Sequence, residues 1–152
     1  MNFMPKKLFS IANQITTALF YISFCVLILI LLFQNHPMVW KTLLICGVSF
    51  CAVSAFRHFY NAPRPYEKNP TIKPPTPHCK KGHSFPSRHV FCAFLIASTT
   101  VYFCPRAGWI LFIPAVFLAF LRRYLHYHST KDVLCGAVLG IFCAALGFGL
   151  FV

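Results

Sequence analysis

The chain has 152 residues, is 58% hydrophobic, and carries 14 Lys and Arg against two acids, for a formal net charge of +12. One domain is what this length accommodates, and a mean hydropathy of +0.67 lies outside the range of an ordinary soluble domain. Composition therefore excludes a water-soluble globular protein. It points to a membrane protein whose basic segments meet lipid head groups or a phosphorylated substrate in preference to nucleic acid.

No charged residue occurs from Leu8 to Trp40, and Ile15 to Phe33 alone is long enough to cross a bilayer core of about 30 Å. That run is too long for a secretory signal, and no small-residue cleavage site follows it. Gaps between charges predict five helical spans, at about 10–33, 38–59, 89–104, 107–121 and 133–152, because helices satisfy their own backbone groups in lipid. The third and fourth are short: about 16 residues at 1.5 Å each reach about 24 Å, so they should stand upright or end below the surface. Pro114 is placed to kink the fourth. Between the second and third spans, residues 61–86 hold seven prolines and four lysines in 26 positions, which predicts an extended loop without helix. In the last span Gly136 and Gly140 have small-xxx-small spacing, read as packing within the bundle ahead of dimerisation. Cys25, Cys46, Cys51, Cys92, Cys135 and Cys143 lie in apolar runs and Cys104 at the end of one, so they read as small buried hydrophobes. Only Cys79 is in a loop, and no disulfide framework is implied.

Five spans bring the amino terminus, the 61–86 loop and the 122–132 segment out on one side. Three polar islands then share a face: Arg57 with Arg64-Pro65; Pro86-Ser87-Arg88-His89; and Arg122 with His128 and Asp132. Ionisable groups at span ends are costly to keep, and these supply cations, two imidazoles, a hydroxyl and a carboxylate, the equipment for handling a phosphate. Singly, each has a plainer reading. Span-end arginines snorkel, Ser87 caps a helix, Pro65 shapes a loop, and His128 with Asp132 makes a surface i, i+4 contact. Their conjunction points to one site. His78, Cys79 and His83 match no usual zinc spacing, so no metal site is expected. Glu67 reads as solvated, His58 and His126 as neighbours of the islands, and Tyr60, Tyr66, Tyr124 and Tyr127 as an aromatic belt.

Arg57, six residues, Arg64-Pro65; Pro86-Ser87-Arg88-His89; Arg122, five residues, His128, three residues, Asp132: in this order the islands resemble the three-part signature of the type 2 phosphatidic acid phosphatase superfamily. The resemblance covers roughly Arg57 to Gly136. It departs from the usual pattern at Arg57, commonly lysine; at Arg88, commonly glycine; and at Leu121, often serine. The usual membrane form has six spans, and this chain reads as lacking the first. The resemblance implies an all-α, polytopic membrane bundle of about five helices, with a core shared with vanadium haloperoxidases and bacterial class A acid phosphatases. Residues 1–152 form a single phosphatase domain with active-site loops at 57–89 and 122–132. It further implies metal-independent, cofactor-free hydrolysis of a phosphate monoester or pyrophosphate on a membrane lipid. In that scheme His128 attacks phosphorus to give a phosphohistidine, Asp132 orients and stabilises its ring, and His89 serves as acid and then as base. Arg57, Arg64, Ser87, Arg88 and Arg122 hold the phosphate.

Phosphatidic acid, phosphatidylglycerol phosphate, a polyprenyl diphosphate and a lipid A phosphate all fit such a site, and the sequence does not choose among them. The competing reading is a non-catalytic lipid-phosphate binding or transport protein that retains the anion pocket; a soluble haloperoxidase is disfavoured by five spans. Of the 14 basic residues 12 fall on the site face, with Lys41 and Arg106 opposite. By the positive-inside rule the site faces the cytoplasm, whereas the resemblance makes the outer face of a bacterial inner membrane the commoner case. The balance of charge tips the expectation to the cytoplasmic face.

Overall fold

Long apolar stretches separated by short polar turns fold into helices. The computed structural model describes residues 3–69, 71, 72, 74 and 81–149, with side chains from Lys7 onward. In chain order the helices are α1 (Phe3–Phe33), α2 (Val39–Tyr60), α3 (Pro65–Lys68), α4 (Arg88–Phe103), α5 (Pro105–Tyr124) and α6 (Thr130–Gly149), with no strand among the described residues. A helix occupies each of the five stretches expected to be spans. Three have ends displaced past the charges that bounded them: α1 starts at Phe3, α5 continues through Arg122 and Arg123, and α6 begins at Thr130. The fifth helix is therefore 20 residues long and not short. Residues 150–152 of the last expected span lie outside the described residues.

One turn of helix, α3, occupies the segment expected to hold none. Pro65 is its first residue, where a missing N–H costs nothing and the fixed φ already suits a helix. Glu67 is exposed, as expected, and also ties the ends of this loop together: its Oε1 accepts from the N–H of Arg64 at 3.0 Å and of Gly82 at 2.8 Å.

The 16-residue helix α4 is the axis of the bundle, packing against α1, α2, α5 and α6. Val90, Phe91, Ala93, Phe94, Leu95, Ile96 and Ala97 are all buried, as expected of a helix apolar on every side. Being enclosed by protein, it does not need the length of a lipid-facing span. Around it the outward faces carry Ile15, Ile22, Leu44, Val48, Trp109 and Ile113, which water would not tolerate in such number and a bilayer solvates. Four helices are long and apolar enough to cross a membrane. The chain is an integral membrane protein.

Gly136 and Gly140 sit at the α4–α6 seam. A Cβ on Gly136 would stand 2.7 Å from the Ser87 carbonyl oxygen, and one on Gly140 2.6 Å from that of Phe91. The motif thus serves packing inside the bundle. The cysteines depart from expectation: Cys46 is buried, but Cys25, Cys51 and Cys104 are exposed on the outside of the bundle, where a thiol is as acceptable to lipid as a methyl group. All seven are free thiols, and Cys79 lies outside the described residues.

Candidate functional site

The three islands meet at one end of the bundle. α2 ends where Asn61 turns left-handed, its N–H bonded to the Arg57 carbonyl at 3.1 Å. That turn leads into the loop that returns to α4. The buried Arg57 guanidinium donates to the carbonyls of His83, Ser84 and Pro86. Its fork therefore fixes the segment just before α4, and a point donor such as lysine spans fewer acceptors. Arg64 ties the loop to the third island, with Nε to the Gly82 carbonyl at 3.0 Å and Nη1 near the Tyr127 carbonyl at 3.4 Å.

Ser87 is completely buried at the N-cap position of α4, yet its side chain makes no cap bond. Its Oγ has no hydrogen-bond partner among the described residues, and its N–H donates to the Asp132 carbonyl at 2.9 Å. A free hydroxyl beside the unsatisfied N–H groups of a helix start is suited to an anion. His89 follows in the first turn, within electrostatic reach of Arg122, His128 and Arg57. Arg88 points elsewhere. It is exposed, with its guanidinium 5.4 Å from the centre of the Phe50 ring on α2.

The third island is built by a capping box. Ser129 precedes α6; its N–H donates to Asp132 Oδ2 at 2.8 Å, and its Oγ accepts from the Asp132 N–H at 3.2 Å. His128, 2% exposed, is held by its own N–H to the Arg122 carbonyl at 3.2 Å. Its Nδ1 lies 3.6 Å from Asp132 Oδ2, too far for a hydrogen bond. Ser84 fills the gap: its Oγ donates to Asp132 Oδ2 at 2.5 Å and lies 3.4 Å from His128 Nδ1. Burial pushes the His128 imidazole down to about 4; the neighbouring Asp132 carboxylate opposes this, while the charges of Arg64, Arg122 and Arg57 reinforce it. At neutral pH the ring is uncharged.

Arg122, also buried, stacks over Tyr127 with its guanidinium carbon 5.2 Å from the ring centre, and Nη2 lies 3.3 Å from Thr17 Oγ1. Its Nε has no hydrogen-bond partner among the described residues. A buried guanidinium with an unused donor is costly unless an anion completes it.

Ser84, Ser129, Thr17 and Tyr127 were not singled out from sequence as site residues. Ser129 was readable, since Ser-x-x-Asp before an apolar run is a helix-start signal. So was Thr17, with Asn13 one turn earlier, because polar residues inside a span are expensive. Asn13 is 5% exposed with Oδ1 unpartnered among the described residues. For Ser84 nothing local distinguishes it from any loop serine. Of the expected aromatic belt, Tyr60 and Tyr124 face outward, but Tyr66 is buried and Tyr127 supports Arg122. His83 stacks on His58 with ring centres 5.6 Å apart; His78 and Cys79 lie outside the described residues.

An all-helical membrane bundle with a basic, histidine-bearing cradle at one rim defines the class of protein. The sequence profile of the PAP2 superfamily matches residues 38–151, and the chain belongs to that superfamily. It is 34% identical over 64 residues to a PA-phosphatase related-family protein of Dictyostelium discoideum, a match covering 42% of this chain and only 12% of that protein. Among solved structures it resembles Aquifex aeolicus LpxE with a TM-score of 0.75 and 25% identity, over 98% of this chain and 88% of that one. It also resembles a PAP2-type phosphatidylglycerolphosphate phosphatase of Bacillus subtilis, with a TM-score of 0.74 and 21% identity, over 99% of this chain and 78% of that one.

Proposed function

We propose that this chain is a membrane lipid phosphatase that removes a terminal phosphoryl group without a metal ion or cofactor. The observation that carries this is the buried His128, with its Nδ1 edge facing Ser84 and Asp132. That arrangement leaves Nε2 as the nitrogen with a lone pair. Nε2 attacks phosphorus; the bond from phosphorus to the lipid oxygen breaks, and that oxygen takes the proton of His89. Water then attacks the phosphohistidine, gives a proton back to His89, and frees phosphate. Asp132 stabilises the positive ring of the intermediate. Arg64 and Arg122, the Ser87 hydroxyl and the first N–H groups of α4 hold the phosphoryl oxygens, while Arg57 sets the loop that carries Ser84 and Ser87.

Since the cradle opens at the rim of a bilayer-spanning bundle, the substrate carries its phosphate in the head-group layer and its tail beside the helices. Phosphatidic acid, phosphatidylglycerol phosphate, polyprenyl diphosphate and lipid A phosphates are the lipids to test. The excess of basic residues on the site face supports a cytoplasmic-facing site, in a bacterial inner membrane.

The test is phosphate release from these lipids by detergent-solubilised protein. Wild type turns over at least one of them in excess chelator, and His128→Ala loses about a thousandfold or more. Binding of the lipid without release would make this a lipid-phosphate binding protein, and retained turnover in His128→Ala would remove His128 from the mechanism. Loss of activity in chelator that returns with added divalent metal would overturn the metal-free scheme.

A further inference from the structure

The superfamily profile begins at residue 38, so α1 lies wholly outside it, yet α1 reaches the site. The face that α1 buries changes character along its length. It is apolar at Phe20, Leu27 and Leu31, which belong to the core, and polar at Asn13 and Thr16, with the half-buried Thr17 beside them. The ring of Phe9 lies 4.7 Å from that of Tyr124, centre to centre, so these polar turns stand opposite the last turn of α5, which carries Arg122. Polar side chains inside a span are expensive and call for a partner.

Thr17 has one. Its Oγ1 donates its single proton to the Asn13 carbonyl at 2.7 Å, so it presents a lone pair to Arg122 Nη2, 3.3 Å away. Tyr127 lies against the same guanidinium. Two sides of Arg122 are thereby fixed, and Nε is the buried donor left without a hydrogen-bond partner among the described residues. A planar guanidinium on a long stem gains most from an anion when its fork is already turned to meet it. We propose that Thr17 is a positioning residue: it sets the rotation of the Arg122 guanidinium so that its Nε edge faces the phosphoryl group. α1 is then a working part of the active site and not only a membrane anchor. This rests on Arg122 as a phosphate ligand in the function proposed above; Thr17 acts through it and does not touch the substrate.

Thr16 is a matched control. It is buried on the same helix, and its Oγ1 makes the same 2.7 Å bond to the carbonyl four residues back, but among the described residues it makes no hydrogen bond to Arg122. Orthovanadate Kd, read from thermal shifts of the detergent-solubilised protein, is the measurement. Thr17→Val raises Kd about tenfold or more, as loss of a hydrogen bond to a charged group predicts. Thr17→Ala repeats that loss with a smaller side chain, Thr17→Ser restores Kd to within about threefold, and Thr16→Val keeps the wild-type value. A Kd within about twofold of wild type in both Thr17→Val and Thr17→Ala overturns the proposal. So does an equal rise in Thr16→Val, since the effect is then one of helix packing, and so does failure of Thr17→Ser to restore binding. Vanadate binding needs no turnover: protein that binds it but releases phosphate from no lipid refutes the phosphatase reading, while the same Kd values still decide the role of Thr17. If wild type binds no orthovanadate, Arg122 is not an anion ligand and the proposal falls with it.

Discussion

In the proposed mechanism Ser84 decides which nitrogen of His128 is reactive. A hydroxyl has one proton, and the 2.5 Å contact to Asp132 Oδ2 claims it, so Ser84 Oγ can only accept from His128 Nδ1. The ring is thereby held as the Nδ1–H tautomer. Ser84→Ala removes this bridge across the 3.6 Å separation of His128 and Asp132. The expected cost is about 1–3 kcal/mol, or about 5- to 150-fold in kcat, with KM little changed. The same site makes a pH prediction. With its folded-state value pushed to about 4, His128 is largely neutral at pH 5, where a free imidazole is already largely charged. Because the shift is downward, its contribution to stability is complete above about pH 6.5 and is lost as pH falls from there towards 4. Imidazole NMR of histidine-labelled protein, with His128→Gln to assign the signal, should give a midpoint well below 6.5. A midpoint at or above that value would contradict the buried, cation-flanked environment.

The seam between α4 and α6 links packing to chemistry. Asp132 in the first turn of α6 accepts the Ser87 N–H through its carbonyl, and one turn later Gly136 lets α6 lie directly on the Ser87 carbonyl. Gly136→Ala puts a methyl group 2.7 Å from that backbone oxygen, which no rotamer change relieves. Such overpacking costs about 1–3 kcal/mol, and the displacement separates the start of α4 from Asp132. Both melting temperature and kcat should fall. Gly47→Ala is the control: nothing lies within 4 Å of its added methyl, and stability and turnover should stay as in wild type. An unchanged kcat in Gly136→Ala would show that the seam does not position the site. The five long helices themselves were legible because lipid leaves a chain few alternatives to an apolar helix. Their ends were less so. Drawing them at charges cut α5 before Arg122 and α6 after Asp132, whereas cations at the end of a helix and an acid at its start are favoured by its dipole. Likewise seven prolines made 61–86 look free of helix, although Pro65 is where a helix can begin.

Across the whole molecule, charge imbalance is the organising fact: 14 cations against two acids, with Arg57, Arg64 and Arg122 gathered at one rim. Residue types and span parity made this convergence readable, because three islands on one face of a small bundle have little room to stay apart. What the sequence did not reveal was the division of labour: Arg57 committed to loop carbonyls, Arg88 lying on Phe50, and Ser84 bridging Asp132 and His128. These depend on distances between segments 26–48 residues apart, which no local pattern encodes. The same imbalance predicts how the folded state responds to a ligand. Arg122 Nε and Ser87 Oγ are buried and unpartnered among the described residues, so an oxyanion that reaches them satisfies donors already desolvated and screens cations that repel one another. Binding to the folded state alone stabilises by about 2.7 kcal/mol at a ligand concentration one hundred times Kd. For a chain of this size that is a rise in Tm of roughly 5–10 °C. Orthovanadate or inorganic phosphate should therefore raise the melting temperature of the detergent-solubilised protein, whereas chloride at matched ionic strength should not. In Arg122→Gln the rise should shrink to that of chloride, because the cradle has lost both the charge and the orphaned donor. An equal rise in wild type and Arg122→Gln would place the bound anion elsewhere and separate Arg122 from the site.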